Sequence, residues 1–335
     1  MSKFGINLFV CLLLAASGAL ASEVRASGVR AETISGDDLS WLKKILYAAH
    51  HANYSGTFIY QSGNHVETSR ITHVSDGENE HERLEGLDGE RSEIIRKNDQ
   101  VWCYQGERKV LVAKREGARM FPALLPAQLS LLQENYVMRH AEDDRVAGFH
   151  AHSIVFQPRD KMRYAHKMWA HSDSGLLLKA VVLDEHNHVI EQYAFTQLNI
   201  GGDIDRKWIV RSKPVDQGGS GNAVSNHGVH AVPNESGWVV YALPAGFKKI
   251  TEVSRRLKGA GQPVTHLVYS DGLAGISVFI EKLGDKTGIK QGLHSKGQIQ
   301  FFTKVLDDNL LTVVGEVPPR TVVQVAESVR FGGQK

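Results

Sequence analysis

In the run Asn53-Tyr-Ser-Gly-Thr-Phe-Ile-Tyr60, Tyr54, Gly56, Phe58 and Tyr60 share one strand face, while Thr57 and Ile59 fall on the other. Apolar side chains on both faces imply a strand covered twice, by a helix on one side and a cavity on the other. His81-Glu-Arg-Leu-Glu-Gly-Leu-Asp-Gly-Glu90 and Val101-Trp-Cys-Tyr104 answer it with further short aromatic strands and turn chemistry, but with no catalytic grouping. The pattern is that of a container or a binding surface.

Strand patterning continues from Tyr54 to about Ile200, over 54–61, 66–74, 80–86, 91–97, 100–105, 108–114, 151–157, 163–171, 175–184 and 188–198. Asp184 to His188 reads as a hairpin connection. Before this meander, Asp37 or Asp38 caps a helix whose stripe is Leu39, Leu42, Ile45, Leu46 and Ala49. Within it, Phe121 to Tyr136 carries Leu124, Leu125, Leu129 and Leu132 and is expected to be helical. The reading is α+β: a curved antiparallel sheet with helices laid in its concave side. Residues 212–232, small and polar without periodicity, form a linker. A smaller α+β domain follows over 233–333. It has a strand over 238–243, a hairpin over 266–280 turning at Asp271-Gly272, a hairpin around Asp307-Asp-Asn309, and a terminal helix opened by Pro318-Pro319 with Val322, Val325, Ala326 and Val329 on one face.

Residues 1–21 read as a secretory signal cut after Ala21, with Lys3 in the n-region, Phe9 to Ala16 as the apolar core and Ala19-Leu20-Ala21 as the cleavage pattern. Its roughly 10 strongly apolar residues fall short of the ~20 that span a bilayer. Cleavage leaves Cys103 as the sole cysteine, which excludes an intramolecular disulfide and fits the bacterial periplasm. Cys103 reads as a small buried hydrophobe, with a redox or intermolecular thiol as the alternative. Net charge is +2, from 39 basic and 37 acidic residues, without the basic excess of a nucleic-acid protein.

No enzyme chemistry stands out, and no cofactor is expected. There is no Gly-x-Ser-x-Gly elbow, Cys103 has no evident base, and the carboxylate pairs Asp143-Asp144 and Asp307-Asp308 sit in loop sequence. His150-x-His152 and His186-x-His188 each place two imidazoles on one strand face, as casual surface pairs or as part of a zinc site needing a third ligand. His50-His51 suits a helix C-terminus. The apolar inventory says more: Phe58, Tyr60, Trp102, Tyr104, Phe121, Leu124, Leu125, Leu129 and Trp169 either fill an ordinary core or line an acyl-chain cavity, where each buried methylene contributes about 0.8 kcal/mol. On the cavity reading, Asp at both Leu125 and Leu129 is expected to remove the lipid response without unfolding the chain.

In order along the chain, Asn53 to Tyr60, Glu82-Arg-Leu-Glu-Gly-Leu-Asp-Gly89, Val101 to Tyr104, Arg145-Val-Ala-Gly148, Pro158-Arg-Asp160, Tyr164 to Trp169, Ser174 to Lys179, Leu243-Pro-Ala-Gly-Phe247, His266 to Leu273, Ser277 to Glu281 and Val313 to Pro319 resemble the RseB/MucB family of periplasmic regulators. Met162 to His166 departs from the pattern by its bulk and strand ending. The resemblance implies a large LolA/LolB-like domain over 36–211, a half-open antiparallel β-barrel with a helical lid, joined by a mobile linker to the small domain. It also implies a periplasmic negative regulator of the envelope-stress sigma factor. Such a protein binds the periplasmic segment of a membrane anti-sigma factor, protects it from site-1 proteolysis, and is released by lipopolysaccharide or mislocalised lipoprotein. A periplasmic lipid carrier is the alternative, and self-association is left open. Arg83, Tyr269 and Asp271 are the anti-sigma-binding candidates, chosen because turn and hairpin positions expose side chains.

Overall fold

A computed structural model describes residues 36–98, 100–105, 108–112, 120–211, 232–233, 235–255, 262–284 and 288–332. The signal segment 1–21 and the linker residues 212–231 lie outside the described residues. Helix α1 (Gly36–His51) leads into strands β1 (Tyr54–Ser62), β2 (His65–Ser75), β3 (Glu80–Gly86), β4 (Ser92–Lys97), β5 (Gln100–Gln105) and β6 (Arg108–Val112). After the short helix α2 (Ser130–Asn135) come β7 (Tyr136–Val146), β8 (Phe149–Pro158), β9 (Ala165–His171), β10 (Leu177–Leu183) and β11 (Val189–Ile200), then helix α3 (Lys207–Arg211).

These eleven strands form one antiparallel sheet in the order β6-β5-β4-β3-β2-β1-β11-β10-β9-β8-β7. Its two edges, β6 and β7, do not pair with each other, so the sheet is open. The first and last strands meet at its centre, with Tyr54 opposite Ile200 and Ser62 opposite Glu191. Hairpins follow from local chemistry: Ala147 and Gly148, at φ +49° and +89°, make the two-residue turn between Val146 and Phe149.

The stripe of α1 is buried as its spacing predicts, with Leu42 and Ile45 at most 1% exposed. It packs on one sheet face with Tyr54, Phe58, Ile71, Ile154, Phe156, Met168 and Phe195. At 1.5–3 kcal/mol per fully buried large apolar side chain, such a cluster dominates stability. The expected helix over 121–136 is reduced to α2, because Pro122 and Pro126 lack the N–H groups that an unbroken helix needs. From Tyr136 the chain is strand, and β7 was not anticipated: Glu142, Asp143 and Asp144 hide its alternation on an edge strand whose polar residues stay exposed.

The second sheet contains β12 (Val232–Pro233), β14 (Lys248–Arg255), β15 (Val264–Ser270), β16 (Gly275–Lys282), β17 (Gly292–Lys296), β18 (Ile299–Leu306) and β19 (Asn309–Gly315), in the order β12-β14-β15-β16-β19-β18-β17. Strand β13 (Trp238–Val240) pairs separately with β20 (Val329–Phe331). Helix α4 (Pro319–Glu327) starts at the Pro pair and buries Val322, Val325 and Ala326 against this sheet. No helix among the described residues is long and apolar enough to cross a membrane.

Candidate functional site: an aromatic cluster and a polar junction

Alternation along β1 turns Phe58 inward, and Phe121 descends from the segment before α2 to meet it. Their ring centroids are 5.1 Å apart, and Phe121 also lies 5.0 Å from Phe195 and stacks on Tyr193 at 5.5 Å. Tyr60 sits 4.8 Å from Tyr193 and donates its hydroxyl to Glu191 Oε2 at 3.1 Å. Leu125 and Leu129 join the same cluster and Leu124 packs on its margin. Six of the nine cavity candidates therefore gather here. The other three do not. Trp169 lies on the opposite sheet face from its neighbour Met168, between Lys167 Nζ at 4.6 Å and Lys179 Nζ at 4.7 Å. Trp102 and Tyr104 pack with Ile95, Ile204 and Trp208 in a separate cluster.

The gathered side chains fill the space they were expected to line. Phe58, Phe121, Leu125 and Leu129 are at most 8% exposed. Two surface depressions, one lined by Trp41 and Lys44 on α1 and one by residues 203–207, include none of the candidates. Asp at Leu125 and Leu129 would place charge in a packed core, so the expectation that the chain tolerates it is corrected.

Between the sheets lies a buried polar junction. Asp271, in the turn joining β15 to β16, accepts the N–H groups of Leu273 and Ala274 on Oδ1 at 2.9 and 2.8 Å. Its Oδ2 accepts Arg163 Nη1 at 2.7 Å and the Tyr136 hydroxyl at 2.9 Å. Arg163 also donates to Asp160 at 3.2 and 3.0 Å and to the Ala245 carbonyl, and its guanidinium lies 5.1 Å from the Phe247 ring centre. Both charges are thus hydrogen-bonded as well as paired, which a buried ion pair requires. Burial raises the Tyr136 hydroxyl pKa, with the Asp271 charge adding to the effect. Burial also lowers His166 to about 4, against the pull of Asp271.

Close packing supports the junction. Gly246 has φ +81°, and a Cβ there would sit 1.8 Å from Asn135 Oδ1. A Cβ on Gly272 would stand 3.4 Å from both Leu131 Cβ and Pro126 Cγ, and Leu273 packs against the aromatic cluster's core. The segment 121–132 therefore touches the aromatic cluster and the tip of the second sheet's hairpin. Thr321 Oγ1 donates to the Met162 carbonyl at 2.8 Å, and Arg320 pairs with Glu185 at 2.5 Å.

The exposure expected for Asp271 and Tyr269 is not found: they are 0% and 4% exposed. The turn is held shut by Asp271 itself and by Arg163, while Tyr269 belongs to the core under α4. Arg83 on β3 is partly buried between Glu93 and Glu85. Sequence reasoning missed Arg163, Tyr136 and Glu191. The available signal was the charged Arg163 set between the apolar Met162 and Tyr164 just before β9, since a charge among apolar neighbours needs a partner. His50 and His73 both reach Glu80, at 3.3 and 3.0 Å, alongside Arg96. Hydrogen bonds from these three groups outweigh the desolvation that would raise Glu80, and its pKa falls well below the usual range.

The fold defines a class: a two-part antiparallel β scaffold whose parts meet at a buried polar junction beside an apolar cluster. Residues 37–212 match the MucB/RseB N-terminal domain, and residues 232–330 match the MucB/RseB C-terminal domain. The chain belongs to the MucB/RseB family, whose members are regulatory proteins. It is 33% identical over 305 residues to the sigma factor AlgU regulatory protein MucB of Pseudomonas aeruginosa, covering 89% of this chain and 92% of the relative. Identity to the sigma-E factor regulatory protein RseB of Escherichia coli K12 is 24%, with 87% and 90% covered. A crystal structure of MucB in complex with MucA(peri) superposes with TM-score 0.69 at 30% identity, covering 88% of this chain and 98% of that one.

Proposed function

We propose that this chain is a periplasmic regulator that binds the periplasmic segment of a membrane anti-sigma factor and shields it from site-1 proteolysis. In this reading 36–211 is a LolA/LolB-like half-open barrel, 121–132 is its lid, and 233–333 is a second domain on a linker. The reading is carried by the near full-length likeness to a MucB structure determined together with MucA(peri). Acyl chains of lipopolysaccharide or mislocalised lipoprotein enter by displacing Phe121, Leu125 and Leu129 from the aromatic cluster. Because the same segment packs on the tip at Gly272, its displacement loosens the junction and with it the grip on the partner. A coupling of 1–3 kcal/mol changes partner affinity about 5–150-fold.

The test is calorimetry of the chain lacking 1–21 against the anti-sigma periplasmic segment, with and without lipopolysaccharide. Tight binding that weakens with lipid is the expected result. Lipid affinity without any peptide binding would replace this reading with that of a carrier.

A further inference from the structure

The hairpin between β10 and β11 gathers Asp184, His186 and His188, with ligand atoms all within 4.8 Å of one another. The backbone makes this grouping. Asp184 Oδ1 accepts the N–H groups of His186 and His188, both at 2.8 Å, which fixes the carboxylate and turns Oδ2 toward the imidazoles. Asn187 takes φ +63°, a left-handed conformation that asparagine adopts more readily than most residues. The rings on either side of it stack with centroids 5.8 Å apart. Oδ2 stands 3.3 Å from His188 Nδ1 and 4.0 Å from His186 Nδ1.

A tetrahedral ion with bonds of 2.0–2.2 Å holds its ligand atoms about 3.3–3.6 Å apart. The Asp184–His188 spacing already meets this. His186 needs only a modest inward swing, and its side chain is 69% exposed. We propose that this hairpin binds one divalent transition-metal ion of the zinc class through Asp184 Oδ2 and Nδ1 of His186 and His188, with the remaining coordination position open to water or to a donor from a partner. Two imidazoles and a carboxylate select zinc, copper or nickel over calcium or magnesium, which take oxygen ligands.

The site does not depend on the anti-sigma reading, and its test needs no partner. Zinc chloride is titrated calorimetrically into the chelator-stripped full chain, into H186A/H188A, into D184N and into H150A/H152A. D184N keeps an oxygen for the turn's N–H groups and removes the charge. Saturable binding of one ion by the wild type and by H150A/H152A is expected, with loss in H186A/H188A and weakening in D184N. Cobalt(II), as a probe, should show a tetrahedral absorption band that H186A/H188A lacks. Undetectable zinc binding by the wild type, or equal binding by H186A/H188A, overturns the proposal. Because both imidazoles are more than two-thirds exposed, unchanged unfolding of the metal-free double variant separates ligation from folding.

Discussion

Arg163 and Asp271 stand 108 residues apart in sequence and meet at 2.7 Å with both side chains at most 1% exposed. One belongs to the approach to β9 and the other to a turn of the second sheet, so the pair ties the two sheets directly. Removing Arg163 leaves the buried Asp271 carboxylate without its cation, and removing Asp271 leaves the buried guanidinium with only the half-buried Asp160 as counter-charge. R163A or D271A is expected to cost about 3–5 kcal/mol, measured by urea unfolding. The apolar pair R163M/D271L should cost less than the sum of the two single changes, a non-additivity read from the same titrations.

At Gly246 the expectation is steric. G246A puts a methyl group into the space of Asn135 Oδ1 and imposes positive φ on an alanine, which costs at least about 1–2 kcal/mol. Trimming the obstacle in G246A/N135A should return part of the loss and leave the backbone strain. Thermal unfolding of both variants checks this, and full recovery would locate the entire effect in the side-chain clash.

Glu191 supplies a pH dependence. Burial first, then the charge of Glu316, raises its pKa to about 8, above the ordinary value near 4.5. A carboxyl whose folded pKa is raised binds its proton more tightly when folded. Its stabilisation is therefore complete below about pH 4.5 and is lost as pH rises toward and through about 8. The melting temperature of the wild type should fall across that window relative to E191Q. Parallel profiles for the two proteins would show that Glu191 does not titrate there.

Leu125 lies in the principal core at 5% exposure. L125A should cost about 2–5 kcal/mol by cavity formation, and L125M under about 1.5 kcal/mol. Denaturant midpoints rank the two. If the segment also acts as the lid, L125A should bind lipopolysaccharide more tightly than the wild type, because a vacated volume needs less displacement.

Much of the fold was legible because single periods decide it. The three- and four-residue spacing of Leu42, Ile45 and Ala49 placed α1, and the two-residue strand period placed β1 with Tyr54 and Phe58 on the inward face. Strand β7 escaped because its acidic exposed half carries no period-two signal. The site was less legible. Phe58, Phe121 and Leu125 converge as composition suggested, yet nothing local distinguishes a cavity wall from a filled core. Trp169 and Trp102 were grouped with them by residue type, although strand parity sends Trp169 to the other face and Trp102 packs in a separate cluster. Asp271 was chosen for its turn, but its burial depends on Arg163, a partner no window of sequence around either residue contains.

The pairing of β1 with β11 sets an order of events in time. Tyr54 cannot find Ile200, nor Ser62 find Glu191, until the whole meander through β11 has emerged into the compartment where the chain folds. Through that interval β1 keeps one row of backbone donors and acceptors bare, as a template for a wrong chain. Long-range closure of this kind is slow relative to hairpin formation. The emerging chain is therefore most vulnerable to misassembly while its eleventh strand is still missing.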